Sequence, residues 1–515
     1  MTTTFDRTST RNTSNRRRWL GFGVLVLTVL LIVIDNTVLA MAIPFISEDL
    51  GATSTQMLWI GDVYSLALGG LLVSMGTLGD RIGRKKLLLM GAGLFGAASL
   101  LAAYAPNAES LIAARVLLGM AGATLMPSTL SLIRALFPDP VKRRTAIGIW
   151  TAATAGGSAM GPLVGGVLLE HFWWGSVFLI NIPVILLLIP AGAALLPEAK
   201  NPDPGPWDLP SVGLSMVGLI GVVYAVKEVA ADGINPTTAA SALVGTAALW
   251  LFVRRQNRLP KPLLNINLFR NRSFSGVVGA NMLSVLGMAG VLYFISQYFQ
   301  LVLDYSPLQA GLAGLPSTIG TVAVSLLAGR LVARTSSRSV LTAGLAIMGV
   351  AMIPLALLTP ETKYLLIAPF LLLLGAGMSM AFTTANDIVL SSVRKEETGA
   401  AASISETGYE IGMALGIAVL GSVLMGIYQG FPVPAGTPEG LTATAHDSLA
   451  SAVQAAQQLP ASQGQQLLNA AQDAFTSGLA TAAGVGALLL LSAAALAWKL
   501  LKDLKPAEKE SVDAH

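Results

Sequence analysis

Gly76-Thr77-Leu78-Gly79-Asp80-Arg81-Ile82-Gly83-Arg84-Lys85-Lys86 joins two apolar runs, 56–78 and 87–105. Its composition says which side of a membrane it occupies. Glycines at 76, 79 and 83 permit a tight turn and a close approach of two helices. The basic residues at 81, 84, 85 and 86 hold such a turn on the cytoplasmic side. Asp80 is a candidate charged lock, able to meet a helix N-terminus or an arginine of the other half of the chain. A purely topogenic loop accounts for the lysines but leaves the glycine spacing with Asp80 unexplained. Gly76, Asp80, Arg81, Gly83 and Arg84 are therefore assigned to gating.

Working outward, the 515-residue chain is 53% hydrophobic and only 12% charged, about half the charged share of a soluble domain. Fourteen apolar runs, from 19–43 to 475–500, are long enough to cross a bilayer core as helices. Threading the chain from a cytoplasmic N-terminus puts 29 of the 32 Lys and Arg residues on one side, as the positive-inside rule requires. Lys363 is in an outer loop; Arg115 and Lys227 lie within spans. An all-α polytopic protein of a bacterial cytoplasmic membrane is expected, with both termini cytoplasmic. The net charge of +4 then reflects topology, and no nucleic-acid partner is expected. Zero cysteines and three scattered histidines argue against disulfides, thiolate chemistry and a metal site. No nucleophile elbow or phosphate loop is present, so neither an enzyme nor a cofactor is expected, apart from protons as coupling ion.

The chain repeats itself. Gly329-Arg330-Leu331-Val332-Ala333-Arg334, with Arg338, is a weaker copy of the loop at 76–86, and Gly157, Gly161 and Gly165 match Gly408, Gly412 and Gly416 at an offset of about 250 residues. Parallel repeats of six spans mark a transporter architecture with its cavity between the halves. The expected organisation is a tail (1–18), a six-helix bundle (19–196), two inserted helices with linkers (197–272), a second six-helix bundle (273–502) and a tail (503–515). The outer segment 429–474, broken by Pro432, Pro434, Pro438 and Pro460, reads as two short helices, 444–459 and 462–475. It is either a hairpin cap or a solvated loop.

Charges inside the spans are the candidate site. Asp35 is alone in the apolar run 19–44, where an ionised carboxylate facing lipid costs on the order of several kcal/mol. It must face protein or a watery cavity, or be protonated part of the time. Asp62 and Arg115 lie at similar depth from the outer face, and Arg115 is the natural partner of Asp35. Glu406 and Glu410, one helical turn apart beside Tyr409, share a face. Trp59, Tyr64, Tyr293 and Tyr298, with Phe294 and Phe299, offer aromatic surface for flat cations. Gly157, Gly161 and Gly165 make a smooth helix face, and Pro162 bends it; these four are also assigned to gating. Asp387 reads as structural. Lys227 and Glu228, in the inserted pair, are given no transport role.

The segment 76–86 resembles the signature loop of the major facilitator superfamily. Leu111-Ile-Ala-Ala-Arg115-Val-Leu-Leu-Gly119 resembles that family's arginine motif of span four, and Gly157-Ser-Ala-Met-Gly161-Pro162-Leu-Val-Gly165-Gly166 its antiporter motif of span five. Trp174-Gly-Ser-Val-Phe178-Leu-Ile-Asn181-Ile-Pro183 resembles a motif of the fourteen-span drug:proton antiporters, which include quaternary-ammonium-compound resistance exporters. The resemblance covers nearly the whole chain and implies a major facilitator fold, two six-helix bundles plus two inserted helices. It implies proton-driven export of lipophilic, mainly cationic compounds, such as quaternary ammonium compounds, dyes and fluoroquinolones, by a monomer in the bilayer. Asp35 and Arg115 are then expected to couple protons. Asp62, Glu406 and Glu410, with Trp59, Tyr64, Tyr293, Tyr298 and Tyr409, would bind the cationic or amphipathic drug. One departure stands out: Gly320 is followed by Thr321, where some relatives carry an acid. The alternative reading is a proton-coupled transporter of another endogenous solute or an envelope lipid.

Overall fold

A computed structural model describes residues 15–200, 208–260, 262–393 and 398–501, and its regular elements are all helical. They run α1 (Asn15–Leu50), α2 (Ser54–Ile82), α3 (Arg84–Ala103), α4 (Ala108–Leu136), α5 (Pro140–His171), α6 (Ser176–Leu179), α7 (Asn181–Leu195), α8 (Leu209–Asp232) and α9 (Pro236–Gln256). The second part comprises α10 (Arg272–Gln297), α11 (Pro307–Ala313), α12 (Leu315–Arg334), α13 (Ser337–Leu355), α14 (Tyr364–Ser391), α15 (Thr398–Tyr428), α16 (Glu439–Asp447), α17 (Leu449–Gln457) and α18 (Ala461–Leu500). Among the described residues, 12 stretches are long and apolar enough to cross a membrane. The fourteen-span expectation exceeds these by α5 and α12, which stand where the fifth and tenth spans are expected.

The expected repeat reappears as repeated packing. α2 lies along α4 as α12 lies along α14, α1 along α5 as α10 along α15, and α3 along α7 as α13 along α18. The helix ends opposite the basic loops, here the far ends, are fixed by local chemistry. Thr53 with Gln56, Asn235 with Thr238 and Ser306 with Gln309 form capping boxes for α2, α9 and α11, each satisfying two otherwise unpaired backbone groups. At the basic end, Gly83 turns the chain from α2 into α3 at φ 110°, a conformation that side chains resist.

Three boundaries differ from the sequence expectation. The first apolar run was expected to end at Pro44, yet α1 continues through it to Leu50. Proline cannot donate to the carbonyl four residues back, which here is that of Ala40. The Ser296 hydroxyl of α10 donates to that carbonyl at 2.7 Å, so the lost bond is replaced from another helix. The expected short helix at 462–475 is the first part of the 40-residue α18, and the one expected at 444–459 is divided at Ser448, whose extended backbone and side chain cap α17, into α16 and α17. No proline interrupts α18 after Pro460, and Gln472 anchors it by donating to the Leu301 carbonyl at 2.8 Å.

Of the two readings of the outer segment, the structure holds the packed one. The Ser47 and Ser448 hydroxyls lie 2.8 Å apart, Gln454 donates to the Glu48 carbonyl at 3.2 Å, and Tyr428 donates to that of Ala445 at 2.8 Å. The α16–α17 hairpin thus sits on the far ends of α1 and α15. The inserted helices lie at the periphery, where α9 packs on α8 and α8 on α2 and α15. Gly221 and Gly245 bring α8 and α9 backbone to backbone. Their basic ends are clamped by Arg255 and Asp208 at 2.8 Å. That bond to Arg255 holds the Asp208 carboxyl below its ordinary range.

Candidate functional site

Two carboxylates in the first part of the chain are fully buried, and each has a cation. Asp35 Oδ2 lies 3.5 Å from Arg115 Nη1, with neither side chain exposed. The pair is at the long limit of an ionic hydrogen bond. The other oxygen, Oδ1, accepts from Asn181 Nδ2 at 2.6 Å, and the same amide nitrogen reaches Ser99 Oγ at 3.1 Å. Arg115 donates through Nε to the Ile60 carbonyl at 3.2 Å and lies 4.6 Å from the centre of the Tyr64 ring. Four helices, α1, α2, α4 and α7, therefore meet at one guanidinium–carboxylate pair. The expected partnership of Asp35 and Arg115 is thus a contact, whereas Asn181, quoted in a motif but given no role, completes it.

The second pair was not foreseen. Lys227 Nζ donates to Asp62 Oδ1 at 2.9 Å with both side chains buried. It also sits 3.6 Å from the centre of the Trp59 ring, itself tilted against Tyr224 at 6.4 Å. Lys227, given no transport role in the sequence reading, is therefore in contact with Asp62, an expected site residue. Its neighbour in sequence, Glu228, diverted the reading, but residues one apart on a helix point in different directions. The carboxylate of α2 lies across the helix boundary.

On α15, Glu410 is buried and packs on Gly69 of α2, leaving no room for a side chain there. Glu406 is half-buried one turn away, and Tyr409 meets Phe382 edge to face at 5.6 Å. Among the described residues, Asp62 Oδ2, Tyr64 Oη, Ser65 Oγ, Arg115 Nη2 and Glu410 Oε2 are buried with no hydrogen-bond partner in the protein. Buried polar atoms are ordinarily satisfied, so α2, α4 and α15 carry unused polar capacity between them. Tyr293 donates to the Met57 carbonyl at 3.1 Å and its ring fills the space at Gly61. Tyr298 instead donates to the Thr359 carbonyl at 2.9 Å and packs on Phe299. It is directed to the far-end turn before α14, not to any of the acids.

The assigned gating residues divide between the two ends. At the far end, Gly157 faces Leu30 and Val33, Gly161 faces Thr37, and Gly165 faces Val38 and Met41, seating α5 against α1. The Pro162 carbonyl meets Gly311 of α11, and Gly166 meets Leu308. With Ser296 on Ala40 and Tyr293 on Met57, these contacts close the two repeats against each other there. At the basic end, Asp80 bonds Arg84 at 2.6 Å and Gly79 packs on the Arg84 stem. The Lys85 backbone donates to Glu198 at 3.1 Å and that of Arg84 to the Ala199 carbonyl at 2.9 Å. The loop therefore locks to the end of α7. Gly76 sits opposite Pro127, and Arg81 is exposed at the end of α2. Asp387 is exposed on α14.

This arrangement buries two ion pairs and the Glu410 carboxylate among helices of both repeats and the inserted pair. The Major Facilitator Superfamily model matches residues 25–417. The chain is 46% identical over 503 residues to the "Multidrug efflux pump LfrA" of Mycolicibacterium smegmatis, covering 96% of this chain and 99% of that one. It is 37% identical to the "Methyl viologen resistance protein SmvA" of Salmonella typhimurium, over 94% and 99% of the two chains. In fold it resembles a crystal structure of a bacterial homologue of the human lysosomal transporter Spinster in an inward-facing, unoccupied conformation, with a TM-score of 0.66, 18% identity and coverage of 95% and 97%. From the paired acids, the repeated bundles and these likenesses together, the chain belongs to the major facilitator superfamily and is a membrane transporter, not an enzyme.

Proposed function

We propose that the protein exports lipophilic, mainly cationic drugs from a bacterial cell in exchange for protons. The relatives named for multidrug efflux and for resistance to methyl viologen, a flat dication, support drug efflux. The observation that carries the coupling is the buried Asp35–Arg115 pair with Asn181. Adding H⁺ to Asp35 removes the charge that compensates Arg115 in a low-dielectric setting, which favours a different arrangement of α1, α4 and α7. Asp62, Glu406 and Glu410 supply negative charge for the drug, and Trp59, Tyr64, Tyr293 and Tyr409 supply ring faces. The basic loops lie in the cytoplasm, so the closed far end is the outer one. Alternating access follows by rocking the repeat 19–196 against the repeat 273–502, within one polypeptide in the cytoplasmic membrane and without a cofactor.

Efflux of an ethidium-like dye from the purified protein in vesicles is expected to follow an imposed pH gradient and to stop when it is collapsed. Equal efflux with and without the gradient refutes antiport. Uptake of a labelled nutrient along the proton gradient would favour the alternative, transport of an endogenous solute.

A further inference from the structure

We propose that Lys227 is a tethered counter-cation: its ammonium occupies a cation seat formed by the Asp62 carboxylate and the Trp59 ring, and a cationic substrate binds there by displacing it. The proposal rests on the drug-export reading and adds a specificity-determining residue from the inserted helices. The seat is a negative oxygen 2.9 Å from Nζ and an indole face 3.6 Å from it. These are the two groups that recognise an organic ammonium ion. The site has spare capacity, because the second Asp62 oxygen is buried and, among the described residues, unpartnered.

Lysine suits such a role. Its compact charge rides on a flexible four-carbon stem, whereas arginine would hold the carboxylate through a rigid fork. A displaced ammonium also has somewhere to go. Lys227 lines a small cleft with Ser54, Thr55, Leu58, Ser422, Met425 and Gln429 toward the far end, and the Ser422 hydroxyl there is buried and, among the described residues, without a partner. Exchange therefore trades one cation for another at Asp62, with the Ser422 hydroxyl as an acceptor for the released lysine. Because α8 packs on both α2 and α15, release of Lys227 loosens the inserted pair from the repeat interface when substrate is present.

The test is equilibrium binding of tetraphenylphosphonium, a fixed monocation, to the full chain in lipid nanodiscs without a proton gradient. A seat that is occupied most of the time lowers apparent affinity by the fraction of time it is free. Lys227→Met is therefore expected to tighten binding about fivefold or more, Lys227→Arg, whose fork holds Asp62 more firmly, to weaken it at least about twofold, and Lys227→Met with Asp62→Asn to lose the gain. Unchanged or weaker binding by Lys227→Met, or a gain that survives Asp62→Asn, overturns the proposal. A second readout needs no variant: tetraphenylphosphonium should raise acylation of Lys227 by a small water-soluble reagent at least about twofold, measured by mass spectrometry. Unchanged or reduced labelling overturns it equally. Gradient-independent efflux would sink the antiport reading alone, and failure of these two measurements alongside gradient-driven efflux would sink only the role of Lys227.

Discussion

Asp35 and Asp62 are both buried aspartates, yet their cations differ in kind and in origin. Arg115 comes from α4 and is held from three sides, by Asp35, the Ile60 carbonyl and the Tyr64 ring. Lys227 comes from the inserted α8 and has two contacts, Asp62 and Trp59. The rigid fork suits a permanent pivot and the flexible stem a replaceable occupant. Removing one member of a buried pair leaves the other uncompensated, at a cost of about 3–5 kcal/mol. Asp35→Asn keeps an acceptor for Asn181 but strands Arg115. It is expected to abolish gradient-driven dye efflux and to lower the thermal transition of the purified protein. Full coupled efflux by this variant would remove Asp35 from the proton path. The partnership with Arg115 was legible in the sequence because a guanidinium within an apolar run needs a carboxylate there, although the depth shared by Arg115 and Asp62 did not make those two a pair. Asn181 and Lys227 were not legible as partners. Which face of α7 or α8 meets α1 or α2 depends on how helices rotate and tilt in the bundle, and spacing along one chain does not encode that.

Among the elements, α5 shows what its glycines do. A side chain at Gly161 would overlap Thr37, whereas one at Gly156 would meet nothing within 4 Å. Gly161→Val is therefore expected to force α5 from α1 and reduce efflux to near background, while Gly156→Ala leaves efflux unchanged. Equal effects of the two would show that the motif acts through something other than close packing. The spacing was legible, since glycines one turn apart read as a smooth face. The partner was less so: the glycine face serves α1 of the same repeat, while the Pro162–Gly166 edge meets α11 and α5 also packs on α12. Helix ends were the weakest part of the reading. Pro44 looks like a stop, and the Ser296 hydroxyl, 256 positions away in sequence, explains why α1 passes through it.

At the scale of the whole molecule, the clamp that holds the inserted pair together is insensitive to mild acid. Asp208 is held below the ordinary carboxylate range by its bond to Arg255. A depressed acid stabilises the fold above its unfolded value, near pH 4, and that contribution is lost only as pH falls through the still lower folded value. The clamp between α8 and α9 is therefore constant across roughly pH 5.5–8. Asp208→Asn should leave the slope of efflux against pH unchanged over that window; a flattened slope would place proton coupling partly in the inserted pair. The repeat itself was legible as matching loops and glycines at one offset, and it returns as matching helix partners. The closure of the far end was not, because it is made of backbone carbonyls, which every sequence has. The bond from Ser296 to the carbonyl bared by Pro44 is electrically silent. Neither salt nor acidity acts on it directly, so whatever prises that clasp apart must do so by leverage on the helices that carry it.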